Sequence, residues 1–275
     1  MISTLPLRRG GPLLVVCLLL GLCVSSPAQQ QPPASAGPAD PKLIEDLVAA
    51  YRILADHNLL DGWGHVSVRH DKDPNRYLMA RGMSADMVTA KDIIEFDLDS
   101  RPVDTHGLPM SALFTERYIH GEIYKARPDV VAVVHTHAPS LIPFGDTKVP
   151  LKPMYHRAAF IALGIPIFEI REKAGMTDML IRNPTLGHNL TEALGDHPAI
   201  LMRGHGAAIT GPTLQRAVAR TIFLSLNAKL QAEAMQMGTP ITYLDIEEAR
   251  KIEAREGHGL ARTWEGWKHK VMARP

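Results

Sequence analysis

The sequence predicts one α/β domain whose sheet is mostly antiparallel. Short apolar or alternating runs are spaced along the chain, and several neighbours are close enough to pair as hairpins. Longer stretches with apolar residues at helical spacing lie among them, and no segment repeats at a fixed period. Strands interleaved with helices in this way describe a sheet covered by helices.

The elements follow in order. Asp40-Pro41 is an N-cap with proline at the first helical position, and Leu43, Ile44, Leu47, Val48, Tyr51 and Leu54 give the first helix its apolar stripe, with Gly62 beyond its end. His65-Val66-Ser67-Val68-Arg69 alternates like a half-buried strand, as does Tyr77-Leu78-Met79. Thr89 with Asp92 forms a capped turn into a strand over 93–98, closed by Asp99-Ser100. A helix is predicted over 115–126 and a strand over 130–137. Residues 165–168, 179–181, 200–202 and 207–210 read as further strands. Residues 212–237 form a long amphipathic helix stopped by Gly238, and Asp245 with Glu248 is a capping box for a last helix.

Ahead of this domain, the N-terminus reads as an address. Arg8-Arg9 precede the apolar run 13–24, and Ser26-Pro27-Ala28 offers small residues to a signal peptidase, so residues 1–28 are expected to be a signal peptide. The run is short for a membrane span, and no span is expected in the mature chain. Export to the periplasm or the exterior follows, and removal of 1–28 moves the net charge from +1 to −1. Residues 29–40, rich in Gln, Pro, Ala and Ser, are expected to be a disordered linker before the domain over 41–275. Both cysteines, Cys17 and Cys23, lie in the leader, so the domain has neither a disulfide nor a thiolate ligand. With 45% hydrophobic and 21% charged residues, the composition is that of a globular protein. The near-neutral charge gives no electrostatic reason to expect a nucleic-acid partner.

His135-Thr136-His137 carries the chemistry. Residues two apart on a strand face the same side, so two imidazoles are presented together at the end of an apolar run, half of a divalent-metal site. His205, between Gly204 and Gly206, is the natural third ligand. Zinc is the first expectation for the ion, and manganese, cobalt and iron also suit histidine. Glu116 and His120 share a helix face at i and i+4, and that helix leads into the histidine strand. The commoner meaning of such spacing is a solvated surface pair, but here a carboxylate could be a fourth ligand or a general acid/base.

Together these residues resemble a known family. The run from Glu116-Arg117-Tyr118-Ile119-His120-Gly121-Glu122 through Arg127-Pro128-Asp129 to His135-Thr136-His137 is similar to the signature of the class II aldolase/adducin family. Gly64-His65-Val66-Ser67-Val68-Arg69 and Arg203-Gly204-His205-Gly206-Ala207 resemble two more of its motifs, in the family's order. The resemblance implies a three-layer α/β/α sandwich and a homotetramer or similar oligomer with active sites between subunits. It implies one divalent ion per subunit on His135, His137 and His205, with Glu116, His120 and Tyr155 as catalytic candidates, Tyr155 reaching a neighbouring subunit's site. His65, Ser67, Arg81, Gly82 and Thr115 fall where the family contacts substrate.

The departures bear on the substrate. The family's Ser-Ser pair before the glutamate is Phe114-Thr115, its asparagine after the glycine is His65, and its phosphate turn is Arg81-Gly82. A phosphate cradle is thereby lost, whereas arginine suits a planar carboxylate. The wording around Gly64-His65-Val66-Ser67 and Arg81 resembles the branch of aromatic-acid and carboxy-muconic semialdehyde decarboxylases. The expected activity is a metal-dependent carbon–carbon lyase on a non-phosphorylated carboxylate, by aldol cleavage or decarboxylation through a stabilised enolate. A sugar-phosphate aldolase or epimerase, and a non-catalytic adducin-like binding protein, are the alternatives.

Overall fold

The computed structural model describes Met1 and residues 31–255 and 259–273, so the signal peptide expected over 1–28 lies, apart from Met1, outside the described residues. The elements below belong to one unit, Pro32–Pro275. In chain order they are α1 (Pro41–Asp56), β1 (His65–Arg69), β2 (Arg76–Ala80), β3 (Ile93–Asp97), α2 (Arg117–Ala126), β4 (Ala132–Thr136), α3 (Ile142–Asp146), β5 (Ile167–Phe168), α4 (Arg171–Ala174), α5 (Pro184–Leu194), β6 (Ala199–Met202), β7 (Gly206–Gly211), α6 (Leu214–Gln236), α7 (Ile246–Glu253) and α8 (Leu260–Met272). The strands make one seven-stranded sheet in the order β3-β2-β1-β4-β7-β6-β5. Every pairing is antiparallel except β5 with β6.

Strand alternation divides the core into two layers of packing. Val66 and Val68, Leu78 and Ala80, and Ala132 and Val134 point to the face covered by α1, α6 and α8. Tyr77 and Met79, Ile94 and Phe96, and Val133 point to the face covered by α2 and α5. The α/β/α sandwich with its mostly antiparallel sheet is therefore present as the sequence implied. His135 follows the period of Val133, so it emerges on the α2 face, where Glu116 caps the start of α2.

Local signals explain the helix ends. Asp40 accepts from the Lys42 amide with Pro41 at the first position of α1. Asn183 and Thr213 cap α5 and α6, accepting from the Leu186 and Arg216 amides. The capped turn expected at Thr89/Asp92 forms as a capping box, and so does the capping box expected at Asp245/Glu248.

Three expectations are corrected. Residues 179–181 are not a strand. Met179 has φ +71, and its carbonyl and the Ile181 amide turn to side chains of the site described below. Helices α5 and α8 occupy stretches in which no helix was anticipated. Part of the supposed linker is tied down: Glu95 accepts from the Ser35 hydroxyl and the Ala36 amide, and Arg76 donates to the Ala34 carbonyl. Those bonds place residues 34–36 beside β2 and β3 instead of leaving them disordered.

Candidate metal centre and its cavity

Three histidines and one glutamate converge at the end of β4. The turn before β7 brings His205 there, and two glycines make the turn possible. Gly204 lies at φ +62 and Gly206 at φ +151, and a Cβ on Gly206 would strike the Thr136 carbonyl. The Oγ of Thr136 itself bonds the Leu59 carbonyl on the opposite face, which anchors the strand end.

Each imidazole is aimed by its Nδ1. That of His135 lies 3.2 Å from the Ala207 carbonyl, and that of His205 lies 3.2 Å from the Met179 carbonyl. A carbonyl only accepts, so in both rings Nδ1 carries the proton and Nε2 offers a lone pair. His137 has its Nδ1 3.6 Å from an Asp61 carboxylate oxygen. All three Nε2 atoms then point to a common centre. His137 Nε2 lies 3.0 Å from that of His135 and 3.2 Å from that of His205. Glu116 Oε2 is 3.3 Å from both His135 Nε2 and His205 Nε2. The four donor atoms lie within 4.8 Å of one another.

These spacings fit a metal ion. Tetrahedral zinc–nitrogen bonds of about 2.0–2.1 Å set donors about 3.3–3.4 Å apart. Facing lone pairs at such distances repel one another, and a cation between them removes the repulsion. The donor set of three imidazoles and a carboxylate could thus hold a divalent ion; the carbonyls on Nδ1 of His135 and His205 supply outer hydrogen bonds of the kind such ligands require, and His137 faces the Asp61 carboxylate.

Charge within the cluster is consistent with that role. Burial alone would raise the Glu116 carboxyl, but the rings of His135 and His205 hold it well below the usual carboxylate range. Burial, reinforced by the neighbouring rings, pushes His137 down to about 4. His205 is lowered by burial, but the bond to Glu116 more than offsets this and raises it. The Glu116 Oε1 atom accepts from the Ile181 amide at 2.8 Å, which fixes the carboxylate plane.

Beside this cluster a cavity of about 420 Å³ is lined by Gly62, Trp63, His65, Gly82, Met83, Ser111, Leu113, Phe114, Thr115, Glu116, His137 and Leu180. Its walls are mainly apolar, and among the described residues no lysine or arginine lines it. Of the expected substrate contacts, His65, Gly82 and Thr115 reach the cavity. Arg81 does not line it: its Nε donates to Asp92 at 2.8 Å, and the carboxylate contact expected of it is corrected accordingly. Ser67 is fully buried behind His65, with its Oγ engaged by His120 and Tyr124.

His120 is likewise not a free acid. It is completely buried, with Nε2 2.6 Å from His65 Nδ1 and Nδ1 2.5 Å from Ser67 Oγ, so both nitrogens are committed. Burial pushes its pKa down to about 3. Tyr155 packs edge-on to His156 and Phe223, at ring separations of 4.9 and 6.0 Å, and does not line the cavity of its own chain. Asp61 is the residue that sequence reasoning missed. It accepts from the Trp63 and Gly64 amides while facing His137. The only sequence sign of it is the Asp61-Gly62-Trp63-Gly64 turn before β1.

Fold and site together define a chain of the aldolase type, and comparison with known proteins agrees. Residues 45–232 match the family described as Class II Aldolase and Adducin N-terminal domain, and the protein belongs to that family. Among characterised relatives it is 30% identical over 252 residues to the decarboxylase tropJ of Talaromyces stipitatus, covering 83% of this chain and 93% of that one. It is 27% identical over 238 residues to 3,4-dihydroxyphthalate decarboxylase of Arthrobacter keyseri, covering 82% and 92% of the two chains. Among solved structures, an aldolase II superfamily protein of Pseudomonas syringae superposes with a TM-score of 0.71 at 25% identity, over 86% of this chain and 94% of that one. Both of these characterised relatives are named as decarboxylases, and beta-adducin of Homo sapiens also matches, at 26% identity over 74% of this chain and 28% of that one.

Proposed function

We propose that the protein is a metal-dependent carboxy-lyase for a hydroxylated, non-phosphorylated organic acid, of the dihydroxyphthalate or 2-hydroxy-muconic semialdehyde type. The observation that carries this reading is the cavity itself: Trp63, Phe114, Leu113, Met83 and Leu180 wall it beside the histidine–glutamate cluster. Apolar walls suit an aromatic or conjugated acid, and among the described residues no lysine or arginine lines the cavity to pair with a phosphate group. The names of the decarboxylase relatives support the same direction.

His135, His137 and His205 would hold the ion, zinc by preference, with Glu116 as a fourth donor or as the proton carrier. Such an ion acts as a Lewis acid toward oxygens next to the carbon that receives the electron pair. Loss of carbon dioxide breaks the bond from the carbon to its carboxylate and leaves the electron pair on that carbon, which must then take up a proton. The chain contributes the apolar walls that exclude water, the His65 and Thr115 contacts to the substrate, and the fixed Glu116 carboxylate. Tyr155 serves this chemistry only from a neighbouring subunit, so the reading includes a homo-oligomer, a tetramer by family resemblance, with shared sites. Export through the 1–28 leader is part of the same proposal. Among the described residues no helix is long and apolar enough to cross a membrane.

The test is to load the protein separately with zinc, manganese, cobalt and iron and incubate it with hydroxylated aromatic acids and β-keto acids. Carbon dioxide and aldehyde are followed together, with His135→Ala as control. Carbon dioxide release that needs a metal and His135 is expected. Turnover of a phosphorylated sugar with no release from any carboxylate would overturn the reading, and no bound metal at all would favour a binding protein.

A further inference from the structure

One buried hydrogen-bond chain leads away from the cavity, and its members beyond His65 take part in no step above. It begins at His65, the cavity residue whose Nε2 has no partner among the described residues. His65 Nδ1 meets His120 Nε2 at 2.6 Å, His120 Nδ1 meets Ser67 Oγ at 2.5 Å, and Ser67 Oγ meets the Tyr124 hydroxyl at 2.7 Å. The Tyr124 hydroxyl then donates to the Val131 carbonyl at 3.4 Å. Strand and helix periods make the chain possible. His65 and Ser67 are two apart on β1, while His120 and Tyr124 are four apart on α2, so four side chains interleave across one interface.

The last acceptor sets the direction of the rest. A main-chain carbonyl only accepts, so the Tyr124 proton points to Val131 and its oxygen is left to accept from Ser67. Ser67 then accepts from His120 Nδ1–H, and His120 Nε2 accepts from His65 Nδ1–H. The reverse order would forfeit the Val131 bond. Both rings are buried and, among the described residues, neither has a carboxylate as a hydrogen-bond partner, so each carries one proton to place. The chain is also closed, because a buried phenol backed by a carbonyl has nowhere to pass a proton.

We propose that this relay locks His65 with its lone pair on Nε2 facing the cavity, making it the acceptor for a hydroxyl group of the substrate. His120, Ser67 and Tyr124 are then positioning residues that act through His65. The inference deepens the lyase reading and rests on it for the identity of the cavity's ligand. It selects acids carrying a hydroxyl beside the reacting carbon over their ethers and over unsubstituted acids, because an acceptor cannot pair with either.

The direct test is the nitrogen-15 spectrum of histidine-labelled, zinc-loaded full chain, with the His65 signals assigned by their loss in His65→Gln. A pyridine-type Nε2 and a pyrrole-type Nδ1 are expected, and a pyrrole-type Nε2 would overturn the proposal. Ser67→Ala removes the acceptor for His120 and is expected to give a mixture of His65 tautomers; an unchanged tautomer would show that the relay does not set it. For specificity, calorimetry compares 2-hydroxybenzoate with 2-methoxybenzoate. The hydroxy acid should bind at least about tenfold tighter, and His65→Leu should shrink that ratio by about tenfold. A ratio unchanged in His65→Leu would count against His65. Failure of both acids to bind would sink the carboxylate reading, while the tautomer spectrum would still decide this one.

Discussion

His120 sits inside the protein with only neutral direct partners, so acid should destabilise the fold in a way that one substitution removes. Burial pushes its imidazole down to about 3, against about 6.5 in an unfolded chain. Above about pH 6.5 both states hold the ring neutral and its contribution to stability is fully present. As the pH falls further, only the unfolded chain takes up the proton, and stability is lost until the folded value is reached. Linkage puts the loss at about 2 kcal/mol between pH 7 and pH 5 for this ring alone. The figure depends mainly on the unfolded value, because pH 5 lies well above the folded one. Urea unfolding of chelator-treated protein at the two pH values, at one protein concentration, measures it through the midpoint and slope. The comparison is with His120→Gln, which keeps a hydrogen-bonding amide and cannot titrate. The wild type should lose about 2 kcal/mol more than the variant over that interval. Equal losses in the two proteins would refute the account of a buried, neutral His120.

Other consequences can be measured separately. Asp61→Ala should weaken zinc binding about 10- to 100-fold in competition with a chromophoric chelator, since it removes the carboxylate facing His137. Gly187→Val should cost about 1–3 kcal/mol in urea unfolding, because a Cβ there would lie 2.6 Å from the Tyr118 carbonyl where α2 and α5 touch. Trp63 is 73% exposed while lining the cavity. Trp63→Ala should therefore leave stability within about 0.5 kcal/mol and show its effect as a higher KM for aromatic acids.

The sequence made much of the sheet and the histidine pair legible because both follow short periods. Alternation identified β1 and β2, the capped turn at Thr89 and Asp92 announced β3, and the spacing of His135 and His137 put two imidazoles on one face, as found. The i,i+4 pair Glu116 and His120 was expected on one helix face, and Glu116 stands at the N-cap of α2 with His120 inside the helix. Its two members nonetheless do different things: Glu116 reaches the cluster from the helix start, and His120, one turn on, lies under His65. Which turn of a helix meets the cavity depends on how deeply the helix is seated against the sheet, and spacing along the chain does not carry that. Arg81 illustrates another limit. Its charge suited a carboxylate, but Asp92, which closes the following turn, holds it first. The segment 179–181 was apolar enough for a strand, yet its main chain serves the site. Such a role leaves no mark on side-chain pattern.

Two side chains of the cluster are held by main-chain groups of one loop. Met179 aims His205 with its carbonyl, and Ile181 orients Glu116 with its amide. Every residue type carries the first group, and every one but proline carries the second. Substitutions at these two positions can therefore alter packing while leaving both bonds in place. Inserting or deleting one residue between Gly175 and Ile181 would instead move both partners out of reach together. Here the protein stores part of its chemistry in the length of a loop, and related chains should keep that length more faithfully than the residues that fill it.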